Sequence, residues 1–228
     1  MHLFYSNQID GNEATLSLEE TQHALKTLRH RDGDAIQITD GEGNLYQGVI
    51  SGTKNSGCVV SSIVKLDATD TLPKLHIFMA LPKNPERFEW FLEKVTEIGV
   101  GEITPLISQR SEKFFAKHER WTKILISAMK QSGRLYLPKL NPPQKFDDAL
   151  TLDFQTKLIA HCIIDMERKS ITGIVRNGSI AIFIGPEGDF TSEEVSKALE
   201  KGFQSVSLGK SRLRTETAGV VACTLLNF

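Results

Sequence analysis

The fold is decided by SIAIFIGPEGDFTSEEVSKALEKG, residues 179–202. Its first seven residues form a short apolar run with three isoleucines. Such a run, ended by glycine and proline, predicts a strand over 179–185 that is buried on both faces. Gly185-Pro186-Glu187-Gly188 stops the strand. Thr191 and Glu194 then stand in the spacing of a capping box, with Phe190 and Val195 at the positions of a hydrophobic staple, so a helix should run over 191–202. A strand, a glycine-containing loop and a capped helix in succession are the unit from which α/β domains are built.

Outward from this unit the same rhythm continues. Strands are predicted at 75–81 (LHIFMAL), 102–107 (EITPLI), 157–164 (KLIAHCII) and 203–209 (FQSVSLG). Helices are predicted at 85–98, around 121–128 and at 215–226; the first carries Phe88, Phe91, Leu92, Val95 and Ile98 on one face. Strands alternating with helices predict a mostly parallel sheet covered on both faces. Upstream the pattern is different. AIQIT (35–39) and LYQGVI (45–50) flank DGEGN, a hairpin signal, and GCVVSSIV (57–64) is a third β-branched run. A short helical stretch ending at Asp32-Gly33 precedes them, and strands so close together suggest a small barrel. Periodicity is lost over 65–74, which places a boundary between an N-terminal domain at 1–68 and a C-terminal domain at 74–228.

Composition narrows the function. The 228 residues carry 27 Lys+Arg and 28 Asp+Glu, a net charge of −1, which excludes a wholly basic nucleic-acid binder. The stretch 110–145 is locally basic, with nine cations including Arg110, Lys113, Lys123, Lys130 and Arg134 against two carboxylates, and reads as a phosphate-contacting surface. Cys58, Cys162 and Cys223 lie far apart with no CxxC pair, so reduced thiols in a cytoplasmic protein are expected rather than a disulfide framework or zinc ribbon. The opening MHLFYSNQID lacks the basic and apolar regions of a signal peptide, and no apolar run is long enough to span a membrane.

Four familiar motifs fail. Gly209-Lys210-Ser211 resembles the end of a P-loop, but position 204 is Gln where the motif needs Gly. His118-Glu119 begins a zinc-protease pattern that Thr122 breaks, so no metal site is expected. There is no GxSxG elbow and no GxGxxG after a strand. Two segments do suggest a site. Gly185 and Gly188 allow backbone to approach a ligand, while Glu187 and Asp189 disfavour a triphosphate. Leu208-Gly209-Lys210-Ser211-Arg212-Leu213-Arg214-Thr215-Glu216-Thr217-Ala218 also follows a strand and opens a helix. Two such loops at strand carboxyl ends would form one ligand crevice.

Together GPEGDFTSEE and LGKSRLRTETA resemble the SPOUT class of S-adenosylmethionine-dependent RNA methyltransferases, and within it the RsmE family of 16S rRNA uracil-N3 methyltransferases. LEKVTEIGVGEITPLISQRS (92–111), KQSGR (130–134) and, near the start, His23, Leu28, Arg29, Gly33 and Asp34 extend the similarity over nearly the whole chain. The opening His2-Leu3-Phe4-Tyr5 departs from the family's Arg- and Phe-rich start. The resemblance implies a PUA-like RNA-binding barrel, a trefoil-knotted α/β methyltransferase domain, and a homodimer acting on small-subunit rRNA or the assembled small subunit. The alternatives are another SPOUT enzyme acting on tRNA or rRNA, and a non-catalytic RNA-binding protein on the same scaffold.

Uracil N3 must lose its proton before it attacks a methyl donor, and the charge then spreads onto O2 and O4. The site therefore needs positioned donors and a proton acceptor, and no metal. Arg110, Arg134 and Arg214 are the candidate donors, and Glu216 and Glu97 the candidate bases. S-adenosyl-L-methionine would be held by His161, Gly185, Pro186, Glu187, Gly188, Leu208, Gly209, Leu213, Thr215, Thr217 and Ala218. His23, Arg29, Lys123 and Lys130 are the candidate RNA contacts.

Overall fold

A computed structural model describes residues 2–55, 57–68, 70–111 and 117–227. The chain forms two compact units: Met1–Leu72 with Ile126–Leu137, and Pro73–Leu125 with Pro138–Phe228. Residues 126–137, which the sequence reading puts in the C-terminal domain, group with the first unit.

The first unit contains β1 (Leu3–Tyr5), β2 (Ile9–Asp10), β3 (Glu13–Thr15), α1 (Leu18–Gln22) with a π-helical turn over His23–Thr27, β4 (Ala35–Thr39), β5 (Leu45–Lys54) and β6 (Gly57–Leu66). They form one sheet in the order β1-β4-β5-β6-β3-β2, antiparallel except for the β1–β4 pair. Ser6 curls it. Its N–H donates to the Thr39 carbonyl of β4 at 3.0 Å and its Oγ to the Thr15 carbonyl of β3 at 2.7 Å, so one residue links strands from the two sides of the sheet. The curled face encloses Phe4, Leu16, Ile36, Ile38, Ile50 and Val60, each supplied by the period-two alternation of its strand or the adjoining loop. The expected hairpin joins β4 to β5. Asp40 Oδ1 accepts from the Glu42 N–H at 2.8 Å, and Gly41 and Gly43 take the positive φ that the turn requires. The 126–137 segment adds to this unit through Leu135, whose carbonyl accepts from Thr39 Oγ1 at 3.2 Å and whose N–H donates to Asp70 at 3.0 Å.

The second unit contains β7 (Leu75–Ala80), α2 (Pro85–Ile98), β8 (Glu102–Ile107), the start of α3 (His118–Ser132), β9 (Lys139–Leu140), β10 (Gln144–Lys145), α4 (Phe146–Ala149), β11 (Thr156–Ala160), β12 (Lys169–Ser170), β13 (Ile180–Ile184), α5 (Ser192–Glu200), β14 (Gln204–Ser207) and α6 (Thr215–Asn227). The sheet runs β10-β8-β7-β13-β11-β14-β12, with β9 also on β8, and every pairing is parallel. Every residue of β7 and β13 is buried, as their unbroken apolar runs predict. α6 lies against α2 because position 219 is glycine; a Cβ there would meet the Phe91 ring at 2.4 Å. α2 is closed at both ends, by Asn84 accepting from the Glu86 N–H and by Gly99 at φ 108°.

Two strands stop two or more residues short of their predicted carboxyl ends. The run 157–164 ends as a strand at Ala160, because His161 turns to meet Ser205 and its Nδ1 accepts the Ile163 N–H. The run 203–209 is a strand only over Gln204–Ser207, because Ser207 Oγ folds onto the Gly209 backbone. Both truncations free residues at carboxyl ends of adjacent strands.

Candidate functional site

β13, β11 and β14 are neighbours, and their carboxyl ends open into one cavity of about 570 Å³. That is within the range of small-molecule sites, roughly 300–1,000 Å³. Its walls come from Ala160–Cys162, Ile184–Glu187 with Asp189, and Val206–Thr215 with Ala218, joined by Arg168. Ile184, Pro186, Val206, Leu208 and Leu213 make it apolar, while backbone amides and carbonyls of the three loops supply polar groups. Such a lining fits an organic ligand with a flat apolar part and polar substituents.

The loops are stitched to one another. The Asp189 N–H closes a turn on the Pro186 carbonyl at 2.9 Å, with Asp189 at φ 63°, a conformation aspartate tolerates better than most residues. Its Oδ1 accepts from the Phe190 N–H at 2.8 Å and its Oδ2 from the Cys162 N–H at 2.7 Å, which ties the loop after β13 to the loop after β11. Glu187 Oε1 accepts from the Lys83 N–H at 3.0 Å, in the turn after β7. Thr215 Oγ1 donates to the Gly185 carbonyl at 3.0 Å, fixing the start of α6 beside the same loop. Both acidic side chains at the cavity therefore serve as backbone acceptors.

Arg110 follows β8 and reaches the Gly-Pro-Glu-Gly loop, where its Nη1 donates to the Gly188 carbonyl at 2.6 Å. A Cβ at position 188 would lie 3.3 Å from Arg110 Cδ, so the glycine makes room for the arginine stem. Glu194 completes the capping box with Thr191 and also accepts from the Gln109 N–H at 2.7 Å. The residue that starts α5 thus also holds the residue before Arg110.

Of the residues expected at a cofactor site, His161, Gly185, Pro186, Glu187, Leu208, Gly209, Leu213, Thr215 and Ala218 line the cavity, as does Arg214. Gly188 and Thr217 do not, and Gly188 contributes through its bond to Arg110. His161 is buried. Its Nδ1 accepts the Ile163 N–H at 3.2 Å, which leaves the proton on Nε2 to donate to Ser205 Oγ at 2.9 Å. Burial lowers its pKa, with Asp189 opposing and Arg168 reinforcing the shift, so the ring is a neutral bracket between β11 and β14. Glu216 is buried, with Oε1 3.7 Å from Arg87 Nε and Oε2 without a hydrogen-bond partner among the described residues. Glu97 lies on α2 and pairs with Lys94 at 3.1 Å. Arg134 belongs to the first unit, where its Nη1 is 3.9 Å from Asp70.

Several cations of the local basic stretch meet carboxylates from elsewhere in the chain. Arg120 pairs with Glu89 at 2.7 Å, Lys139 with Glu102 at 3.4 Å, and Lys130 with the buried Glu20 carboxylate. Lys123 is exposed on α3, and Lys113 lies outside the described residues. His23 and Lys130 line a second cavity of about 820 Å³ within the first unit, with His2, Gln37 and Arg134. Arg29 is exposed at φ 60°. The sequence reading missed Cys162 and Arg168, which sit on the irregular loop after β11 and carry no local signal. Lys210 and Arg212 were left without roles, and Asp189 with only that of disfavouring a triphosphate, although all three lie inside the two motifs and line the cavity.

Comparison with known proteins sets this site in a family. Residues 70–227 match the RNA methyltransferase domain family, and residues 17–61 the RNA methyltransferase PUA domain family. The ribosomal RNA small subunit methyltransferase E of Mesomycoplasma hyopneumoniae is 31% identical over 98% of this chain and 98% of its own. A crystal structure of a probable rRNA-methyltransferase from Porphyromonas gingivalis superposes with a TM-score of 0.90 at 37% identity, covering 98% of this chain and 95% of that one. The ribosomal RNA small subunit methyltransferase E of Neisseria gonorrhoeae, solved bound to S-adenosyl methionine, superposes at 0.85 with 32% identity over 98% of this chain and 95% of its own. The chain therefore belongs to the ribosomal RNA small subunit methyltransferase E family.

Proposed function

We propose that this protein methylates N3 of a specific uridine in small-subunit (16S) rRNA, with S-adenosyl-L-methionine held in the cavity at the carboxyl ends of β11, β13 and β14. The observation that carries this reading is that cavity: four chain segments are stitched around a space of ligand size, and most of its lining falls in the two family-specific motifs. S-adenosylmethionine, when bound, supplies a methyl group on a positively charged sulfur. The chain's own groups do the rest. Backbone of 185–187, Leu208, Gly209, Leu213 and Thr215 orients the ligand, and the apolar lining excludes water. Arg110 has one guanidinium N–H on Gly188 and further donors to offer a uracil oxygen; Arg214, exposed at the cavity, is the second donor. Preorganised donors of this kind matter most when the imide charge develops. Glu216 does not itself line the cavity, but its buried Oε2 has no hydrogen-bond partner among the described residues and it follows Thr215, which does; it is our candidate acceptor of the N3 proton. Arg134, whose Nη1 is 3.9 Å from Asp70, is the third candidate donor.

The unit that contains the PUA match is proposed to bind the RNA, with 1–68 as its core and 74–228 as the methyltransferase domain. We further propose the trefoil knot and the homodimer that the family resemblance implies, and a cytoplasmic setting where rRNA is available. No helix among the described residues is long and apolar enough to cross a membrane, and no group of potential metal ligands occurs among them. The test is transfer of labelled methyl from S-adenosylmethionine to purified small-subunit rRNA, followed by nucleoside analysis. N3-methyluridine is the expected product. Methyl on a ribose, on another base or on tRNA alone would favour a different enzyme of the class.

A further inference from the structure

The charges around the cavity are not equivalent. Glu187 and Asp189 accept backbone N–H groups, and Arg168 donates to the His161 carbonyl at 2.9 Å. Lys210, Arg212 and Arg214 also line the cavity, but all three are exposed, and none forms an ion pair or a side-chain hydrogen bond among the described residues. This contrasts with Arg120, Lys130 and Lys139, which are each matched to a carboxylate. The loop that carries the three free cations is fixed at both ends. Ser207 Oγ bonds the Gly209 carbonyl at 2.9 Å on one side, and Thr215 Oγ1 bonds the Gly185 carbonyl on the other. The span between is held in place while its charged side chains face solvent.

From this arrangement we propose that Lys210 and Arg212 are a phosphate-binding rim, which holds the backbone of the substrate RNA at the cavity opening beside the nucleotide to be methylated. The proposal rests on the RNA-methyltransferase reading and adds to it the residues that contact the RNA. A cationic cofactor gains nothing from three unmatched cations, whereas a polyanion does. With a net charge of −1 over the whole chain, attraction of RNA must come from local groups that are not already neutralised. Arginine offers a planar fork to a phosphate and lysine a point charge, so both residue types suit the task.

The experiment is RNA binding by the full chain across a salt series, using a small-subunit rRNA fragment, for wild type, for Lys210→Gln with Arg212→Gln, and for Lys210→Arg with Arg212→Lys. Calorimetric titration with S-adenosylmethionine runs alongside. Each phosphate contact contributes about 0.7 to the slope of log K against log salt on single strands, so the double Gln variant should lose about 1.4 from that slope. Its cofactor affinity should stay within about twofold of wild type, and the charge-preserving variant should keep the wild-type slope. An unchanged slope in the Gln variant would overturn the rim. A slope kept but cofactor affinity lost would overturn it too, assigning the cations to the small ligand. Wild type that binds no small-subunit rRNA at low salt would overturn the underlying reading and the rim together.

Discussion

Arg110 shows how one side chain joins structure to chemistry. Its stem packs on the bare Cα of Gly188 and its Nη1 holds the Gly188 carbonyl. Removal should therefore act on both the loop and the reaction. Arg110→Ala is expected to lower single-turnover methyl transfer by roughly 10²-fold, the scale of one lost oxyanion-type donor, with a smaller loss of cofactor affinity. Arg110→Lys should recover part of the rate, because an ammonium keeps a donor but not the fork. Near-normal turnover in Arg110→Ala would leave Arg214 as the donor that matters. His76 supports a second residue-scale expectation. It stacks on Phe78 at 4.0 Å, bonds Thr104 Oγ1 at 2.7 Å, and lies 3.8 Å from Glu102. Burial lowers its pKa from 6.5 to about 4, against the pull of Glu102 and with the push of Lys139. The folded ring stays neutral where the unfolded one takes up a proton, so this histidine leaves stability unchanged above about pH 6.5 and reduces it as pH falls toward 4. Urea unfolding at pH 7.5 and pH 5 should show a larger loss for wild type than for His76→Gln. Equal losses would remove His76 from the acid response.

At the scale of elements, the capped start of α5 is what the sequence displayed most openly. Thr191 and Glu194 form the capping box, and Phe190 and Val195 are both buried at the staple positions. What the sequence could not display is that Glu194 also holds the Gln109 N–H, because that partner is 85 residues away. Glu194→Ala should therefore exceed an ordinary cap loss. It removes acceptors for the Thr191 and Gln109 N–H groups, so about 2–4 kcal/mol of stability is expected to go, against about 1 for Thr191→Ala. Chemical denaturation of the two variants checks the order, and equal effects would mean that the Gln109 bond contributes nothing. The long helices and buried strands were legible for the same reason as this cap: their signals are local and periodic. β1, β2, β3, β9, β10 and β12 have two or three residues each, too few for a period, and depend on tertiary partners.

At the scale of the whole molecule, the two motifs led to the cavity, but not to the way it is held together. Asp189 to Cys162, Glu187 to Lys83 and Thr215 to Gly185 are long-range bonds to backbone groups, and a backbone partner leaves no mark in a sequence. The carboxylates that meet the basic stretch 110–145 were hidden for a related reason. Counting charges there did not register Glu89, Glu102, Glu20 and Asp70, which meet its cations from elsewhere in the chain. The grouping of 126–137 with the first unit left no local sign, because the helix simply continues through residue 132; the methyltransferase family match still includes this segment.

The cavity at the ends of β11, β13 and β14 is proposed to serve methyl transfer to a uracil N3 of small-subunit rRNA. Its most direct test is mass mapping of that rRNA from cells with the gene and cells without it, with a Gly188→Val rescue arm. One uridine should carry an N3-methyl group when the gene is intact, lose it on deletion, regain it with the wild-type gene, and stay unmethylated with the valine variant. Identical methylation maps with and without the gene would contradict it.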